Sequence, residues 1–570
     1  MLRVLIVALL GPALPGAFAQ MNMPGHVMEM QDEIPPEKLP PPVRIDGIGN
    51  AHLRITANAE AQMWFDQGLN LLHDFWDYES ARAFEQGVRV DPQCAMCYWG
   101  LYKAESFYHS TAQGYAGKAI AQAAALEKHV SAHEQLYIDA AAARSHAAYP
   151  KEQELLRKIV ADYPDDLQGR IFLSNAGGPD SLAILEAVLK DDPENSAANH
   201  YYIHALEGTD HPEKALHSAE ILARLAPSSG HMVHMPGHIY YRIGDYARAE
   251  QSFAAAVAAD ERYMREQHIA PDDNWNYVHN LMYAIANLLE EGKFEEATRL
   301  SGRITAARGK LETTLYINVT RDSISRLDPR LPVALRTADF EQILKLANAS
   351  AVAPGLPNLE FLRRRLADFA AGMKAVAAGQ LSEAEQVSTR FDAELWRMSS
   401  QDKDAAPMRG MAPRQPRSTE PHKLAVMPDA LLDPLLRALS IMSLELRGSL
   451  LAARGKVEAA KAVFADAAKE QKALGYREPP NYIRPVGEAE GAAMLAAGQW
   501  ADAKAAFERA LIDRPHSGFA LYGIATASER AGERGAATKA YAEFLTAWKD
   551  ADARLPQLAQ ARSYMAAHRE

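Results

Sequence analysis

An all-α solenoid of stacked helical hairpins is the fold class this sequence predicts, and three observations predict it. From Ala59 onward the chain is alanine-rich with apolar residues at helical spacing, and the alternation that marks strands is nearly absent. Helix breakers recur as short Gly-Asp, Gly-Lys or Gly-Gln turns. A small-aromatic-small pattern follows these turns and repeats along the chain. Gly244-Asp245-Tyr246 leads to Ala249, Phe253 and Ala256, and Gly498-Gln499-Trp500 leads to Ala503, Phe507, Ala510 and Pro515. Gly532 leads to Ala537, Tyr541 and Phe544, and it lies 34 residues after Gly498.

Gly292-Lys293-Phe294 with Ala297 fits the same template, as does Gly455-Lys456-Val457 with Ala460, Phe464 and Ala467. So do Trp64, Gly68, Phe84 and Pro92. A 34-residue period of this composition resembles the tetratricopeptide repeat (TPR). Small residues let two helices approach, an aromatic fills the gap, and proline closes the second helix. Each hairpin then exposes an apolar face that only the next can cover, so the units stack into a superhelix. Units are expected to start near residues 61, 196, 230, 278, 441, 484 and 518, with degenerate hairpins over 95–195 and 300–396.

The elements follow in order. Residues 1–19 read as a cleavable signal peptide: Arg3, an apolar run from Val4 to Leu10, and Ala17-Phe18-Ala19 before Gln20. The run is far short of the ~20 residues a membrane span needs. Secretion or a periplasmic location is the expectation, with no stable membrane insertion after the signal is removed. Residues 20–58 are an extended lead-in rich in Pro and Met. Residues 59–398 form an N-terminal TPR-like array, 399–428 a long Pro-rich loop, and 429–570 a smaller C-terminal array.

Composition narrows the function. Of 570 residues, 48% are apolar and 24% charged, which fits a globular chain. The formal net charge of -12 argues against a nucleic-acid binder. With two cysteines there is no disulfide framework.

The histidines are not scattered. Nine of the 19 lie between His200 and His279, where an even spread puts about three. His200 and His204 are one helical turn apart, with Glu207 three further on the same face. His234 and His238 repeat that spacing, 34 residues later at both positions. The two pairs therefore occupy matched places in adjacent units. The TPR resemblance puts those places on the first helix, facing the concave surface, and puts His231 and His279 on the same side. Neighbouring first helices lie ~10 Å apart, so imidazoles reaching across can share an ion. Imidazole suits zinc, copper or iron, and neighbouring methionines Met232 and Met235 tilt the choice toward copper. His200, His204, His234 and His238 are the expected ligands, with Glu207, His231 and His279 as additional ligands or orienting groups. Pro236 lies between His234 and His238 and either starts or kinks the helix there.

The strings NHYYIHALE, GHMVHMPGHIYYRIGDY, DPQCAMCYWG and YREPPNYIRPVGEAEGAAMLAAGQWADA resemble a group of exported bacterial TPR proteins sharing these histidine motifs. Gly237 stands where that group has Ser. The resemblance implies the fold and the site, and no particular reaction.

Other residues carry weaker signals. Cys94 and Cys97 form Cys-x-x-Cys, but Tyr98 stands where covalent haem needs His, so the pair is a local disulfide, a redox pair or two core residues. Met21, Met23, His26, Met28 and Met30 form a thioether-imidazole cluster or an incidental tail. His73, with Asp74 and Asp77, is placed to reach the same groove from the first unit, and Trp64, Phe65, Phe75, Trp76 and Tyr78 around it read as helix packing. Tyr476, Glu478, Pro479 and Pro480 line a pocket or open a helix. No His-Glu-x-x-His, phosphate-binding loop, Gly-x-Ser-x-Gly or dinucleotide glycine motif is present, so no nucleotide cofactor is expected and no catalytic residue stands out. Two readings follow: an exported solenoid with a histidine-lined metal site in its concave groove, or a metal-free interaction scaffold whose groove grips a peptide or envelope protein.

Overall fold

The computed structural model describes residues 35–108, 114–271, 274–307, 320–404, 433–476, 479–480 and 482–568. The expected signal peptide, the methionine cluster and Glu478 lie outside them, as does most of the expected loop. Among the described residues the chain is all-helical, with 26 α-helices and no strand. It is a TPR-type solenoid of helical hairpins.

The local reasons are those of the repeat. Turn glycines such as Gly244 (φ 80°) and Gly498 (φ 74°) take the left-handed conformation that ends a helix and starts its return. In several hairpins an aromatic of the second helix seats on a glycine of the first. A Cβ on Gly237 would lie 2.4 Å from the Phe253 ring, and one on Gly491 would lie 2.7 Å from Phe507. The predicted first helices appear as Ala59–His73, Ser196–Glu207, Gly230–Ile243, Trp275–Glu290, Asp433–Ala453, Val486–Ala496 and Gly518–Arg530. Hairpins also make up the described residues between 95 and 191, where the sequence shows a degenerate pattern.

Over its described residues, 35–58, the lead-in is non-helical apart from a single 3-10 turn at Pro36–Lys38. It is strapped to the first hairpin: Asn70 both donates to and accepts from the Ala51 main chain at 2.8 Å, and Arg82 donates to the Pro40 carbonyl at 3.0 Å. Farther along the stack, Asn50 Oδ1 accepts from the Ser196 amide at 2.9 Å, at the start of the His200 helix.

The helix Leu381–Asp404 carries the chain past residue 398, where the sequence placed the end of the first array. One apolar core runs from Ile324 to Tyr564 and so includes helices on both sides of residues 399–428. The C-terminal hairpins also dock on the middle of the chain. Tyr246 donates to the Pro515 carbonyl at 2.8 Å, and Trp548 Nε1 donates to the Glu290 carbonyl at 2.8 Å. At the same contact the buried Arg336 guanidinium bridges Glu290 (2.7 Å) and Glu488 (2.5 Å).

Candidate metal centre

Three consecutive first helices build the site. Ser196–Glu207 is N-capped by Asn195, whose side chain accepts from the Ala198 amide at 2.9 Å. Arg242 Nε donates to the Glu207 carbonyl at 2.9 Å and so ties the end of this helix to the next. Gly230–Ile243 is capped by Ser229 and runs through Pro236, so the helix begins before the proline and not at it. His231, His234 and His238 all project from it. Trp275–Glu290 supplies His279.

All seven predicted residues come together. The imidazoles sort into two triads, His200 with His204 and His231, and His234 with His238 and His279. Within each triad one nitrogen per ring lies within 4.8 Å of the others. Metal-nitrogen bonds of ~2.0–2.1 Å bring tetrahedral ligands to roughly 3.3 Å from one another, so small side-chain rotations close either triad on an ion. Ring centroids are 4.8 Å apart for His200 and His204 and 4.4 Å for His234 and His238. The longest centroid spacings within the triads are 5.7 Å for His204 to His231 and 6.0 Å for His238 to His279, and between triads they are 6.1 Å for His231 to His234 and 6.4 Å for His204 to His238.

Hydrogen bonds define which nitrogen faces inward. His200 Nδ1 lies 2.7 Å from the His73 carbonyl oxygen, which only accepts, so Nδ1 carries the proton. In the neutral ring Nε2 is then a lone pair, and it lies 3.1 Å from His231 Nε2. Glu207 plays the matching part for two rings. Its Oε1 accepts from His204 Nδ1 at 2.7 Å, and its Oε2 accepts from His238 Nδ1. His238 Nε2 in turn faces His234 Nε2. A ligating imidazole whose other nitrogen donates to a carboxylate or carbonyl is the usual arrangement at metal sites, since it orients the ring and raises its basicity.

Protonation agrees. Burial, followed by the neighbouring imidazoles, holds His200, His231 and His234 well below the usual histidine range, so these rings are neutral donors. His234 Nδ1 is buried without a hydrogen-bond partner.

The centre is buried, and its histidines are not exposed along the surface of the superhelix. His200, His234 and His238 are 0% exposed, and even the His204 side chain is only 9% exposed. The covering groups come from distant segments. Phe75, in the left-handed conformation at φ 56°, places its ring 4.8 Å from His200 and 5.4 Å from both His204 and His231. Tyr283 stacks on His238 at 4.5 Å and shares a 2.9 Å hydrogen bond with Tyr476, whose hydroxyl also donates to Glu207 at 3.3 Å. Sequence reasoning read Phe75 as packing, left Tyr476 between pocket and helix entry, and passed over Tyr283. The four-residue step from His279 to Tyr283 was the available signal, since it returns to the same helical face.

The other candidates fall into place. His73 contributes its carbonyl, while its ring bonds Tyr201 (3.0 Å) and Gln168 (2.8 Å), and burial holds it down to about 4. Asp74 is buried beside Ser229, and burial holds its carboxyl well above the usual range. Met232 and Met235 are buried in the apolar core, which removes them as the reason to favour copper. Cys94 and Cys97 are joined as a disulfide with Cα atoms 5.3 Å apart.

No protein-family model and no curated protein matches the chain. Among solved structures it is similar to yeast Tom70, at 12% identity and a TM-score of 0.26 over 89% of this chain and 95% of that one. It is also similar to the APC/C hetero-tetramer Cut9-Hcn1, at 11% identity and a TM-score of 0.25 over 76% and 83%. The fold assignment rests on the hairpins and glycine seats described above.

Proposed function

We propose that this chain is an exported TPR solenoid that binds a transition metal (copper, zinc or iron) at the histidine centre between its Ser196, Gly230 and Trp275 helices. One observation carries the reading: two imidazole triads close enough to ligate, with Nδ1 of His200, His204 and His238 occupied by fixed acceptors so that Nε2 is left for an ion. The Cys94–Cys97 disulfide supports an oxidising compartment, in keeping with a cleaved signal at residues 1–19. Among the described residues no helix is long and apolar enough to cross a membrane. The test is elemental analysis of purified protein beside a His200→Ala/His234→Ala variant. Stoichiometric metal in the wild type and its loss in the variant are expected. Equal trace metal in both sinks the reading.

The second reading, a protein-interaction scaffold of the cell envelope, is favoured by a separate feature. A polar groove of about 340 Å³ runs between the lead-in and the next helices, lined by Asn50, His52, Arg54, His133, Asp166 and Asp192. Repeat solenoids offer such extended surfaces to peptides. In this reading the groove binds a segment of an envelope protein, and the buried histidines are structural.

A further inference from the structure

The six imidazoles are two sites and not one. Each triad straddles one step of the helical stack. The first joins His200 and His204 of one helix to His231 at the start of the next, and the second joins His234 and His238 to His279 of the helix after that. The helix Gly230–Ile243 therefore serves both. A four-coordinate ion seated in one triad leaves the other three donors unused. Two ions use them all.

Glu207 couples the two. Its carboxylate divides between the triads, one oxygen on Nδ1 of His204 and the other on Nδ1 of His238. A single side chain thus sets the ring orientation of one ligand in each site.

Charge selects the ion. Every ligating imidazole is a neutral donor, and the Glu207 carboxylate is bonded to two of the rings. Two dications would place four positive charges in a buried chamber. Two monovalent ions place two. Since the cost of burying charge climbs steeply with its magnitude, the monovalent pair is favoured. Among metals that imidazole suits, copper is the one with an accessible monovalent state.

We propose that this chamber is a two-ion centre holding one copper(I) in each histidine triad, with Glu207 as the positioning residue common to both. The proposal rests on the metal-centre reading above. Each ion has three imidazole ligands.

The experiment is an anaerobic titration of the metal-free full chain with copper(I) against a chromogenic chelator, with zinc(II) in a parallel arm and elemental analysis after desalting. Two copper(I) ions per chain are expected for the wild type. One is expected for His200→Ala/His204→Ala and one for His234→Ala/His238→Ala. Glu207→Gln keeps all six imidazoles, and it is expected to weaken both ions together by ~10–100-fold. A structural role alone would lower the unfolding midpoint of the metal-free protein without changing copper affinity in the folded state. Wild type saturating at one ion overturns the pair but leaves the metal-centre reading intact. Two zinc ions held in preference to copper overturn the choice of metal. No binding of either metal overturns both readings. Should a triad variant fail to show wild-type helicity by circular dichroism, the wild-type stoichiometry and Glu207→Gln decide the matter.

Discussion

His200 donates its Nδ1 proton to the main-chain carbonyl of His73 at 2.7 Å, across 127 residues of sequence. The acceptor is an end-of-helix carbonyl, one of the four that an α-helix leaves unsatisfied. The turn that follows it brings Phe75 back over the first triad. Helix termination in the first hairpin and ligand orientation in a later one are thus a single arrangement.

Removing the Phe75 ring should therefore act on the first triad alone. Phe75→Ala takes away ring contacts with His200, His204 and His231 and admits water beside them. The side chain is half-buried, so a loss of roughly 1–2 kcal/mol is expected, below the cost of a full core deletion. The sharper readout is chelator-driven metal release. One of the two ions should leave faster and the other at its wild-type rate. Equal acceleration of both would show that Phe75 does not cover one triad selectively.

Gly237 tests the repeat packing at the site. A methyl group there would sit 2.4 Å from Cε1 and 2.7 Å from Cζ of Phe253. Both helices must shift to accommodate it, so Gly237→Ala should cost about 1–3 kcal/mol in urea unfolding. Gly237→Ser meets the same obstruction. A variant as stable as the wild type would mean that Phe253 turns aside freely.

How much of this was legible in sequence depends on how far apart the partners lie. His200, His204, His234 and His238 share a 34-residue offset, and a repeat register alone brings matched positions together. Glu207 was legible as a same-face neighbour of His204. Its second bond, to His238, follows from the register as well. The lids were not legible. Phe75 and Tyr476 reach the chamber from the first hairpin and from the segment before Tyr482, and no periodicity links either to the histidine helices. Burial of the centre was missed for the same reason, since a groove read from one repeat looks open until distant segments close it. The extent of the C-terminal core was hidden by prolines and charges in 405–428, which mark a break in the repeat but not in packing.

Arg336 is the electrostatic joint between the middle of the chain and its C-terminal hairpins. Its guanidinium meets Glu290 and Glu488 with all three groups buried, and it lies 3.9 Å over the Phe519 ring. Arg336→Met takes the guanidinium from two buried carboxylates and leaves Glu290 to the longer 3.8 Å contact with Arg514. Loss of one partner from such a network costs about 3–5 kcal/mol. Calorimetry is expected to resolve an early transition for the C-terminal hairpins, because Trp548 and Tyr246 dock at the same place. Restoring neutrality with Glu290→Gln and Glu488→Gln on the Met background should recover part of the loss. A single unshifted transition in Arg336→Met would rule out the joint.

Glu445 provides a pH test away from the histidines. Burial raises its carboxyl to about 7, against the pull of Arg484, whose Nη2 lies 3.5 Å away, and the hydroxyl of Tyr482. The unfolded chain titrates this group near 4.5. The folded protein thus holds the proton more tightly, and the stability this contributes is fully present below pH 4.5 and lost as pH rises through about 7. Glu445→Gln mimics the protonated form at every pH. Near pH 5 wild type and variant should unfold at similar urea concentrations. By pH 8 the variant should be the more stable, by an amount on the order of 2–3 kcal/mol, since each pKa unit is about 1.4 kcal/mol. Histidines titrate equally in both proteins and cancel in the difference. A gap between variant and wild type that stays constant from pH 5 to pH 8 would mean that Glu445 is ionised throughout and paired with Arg484.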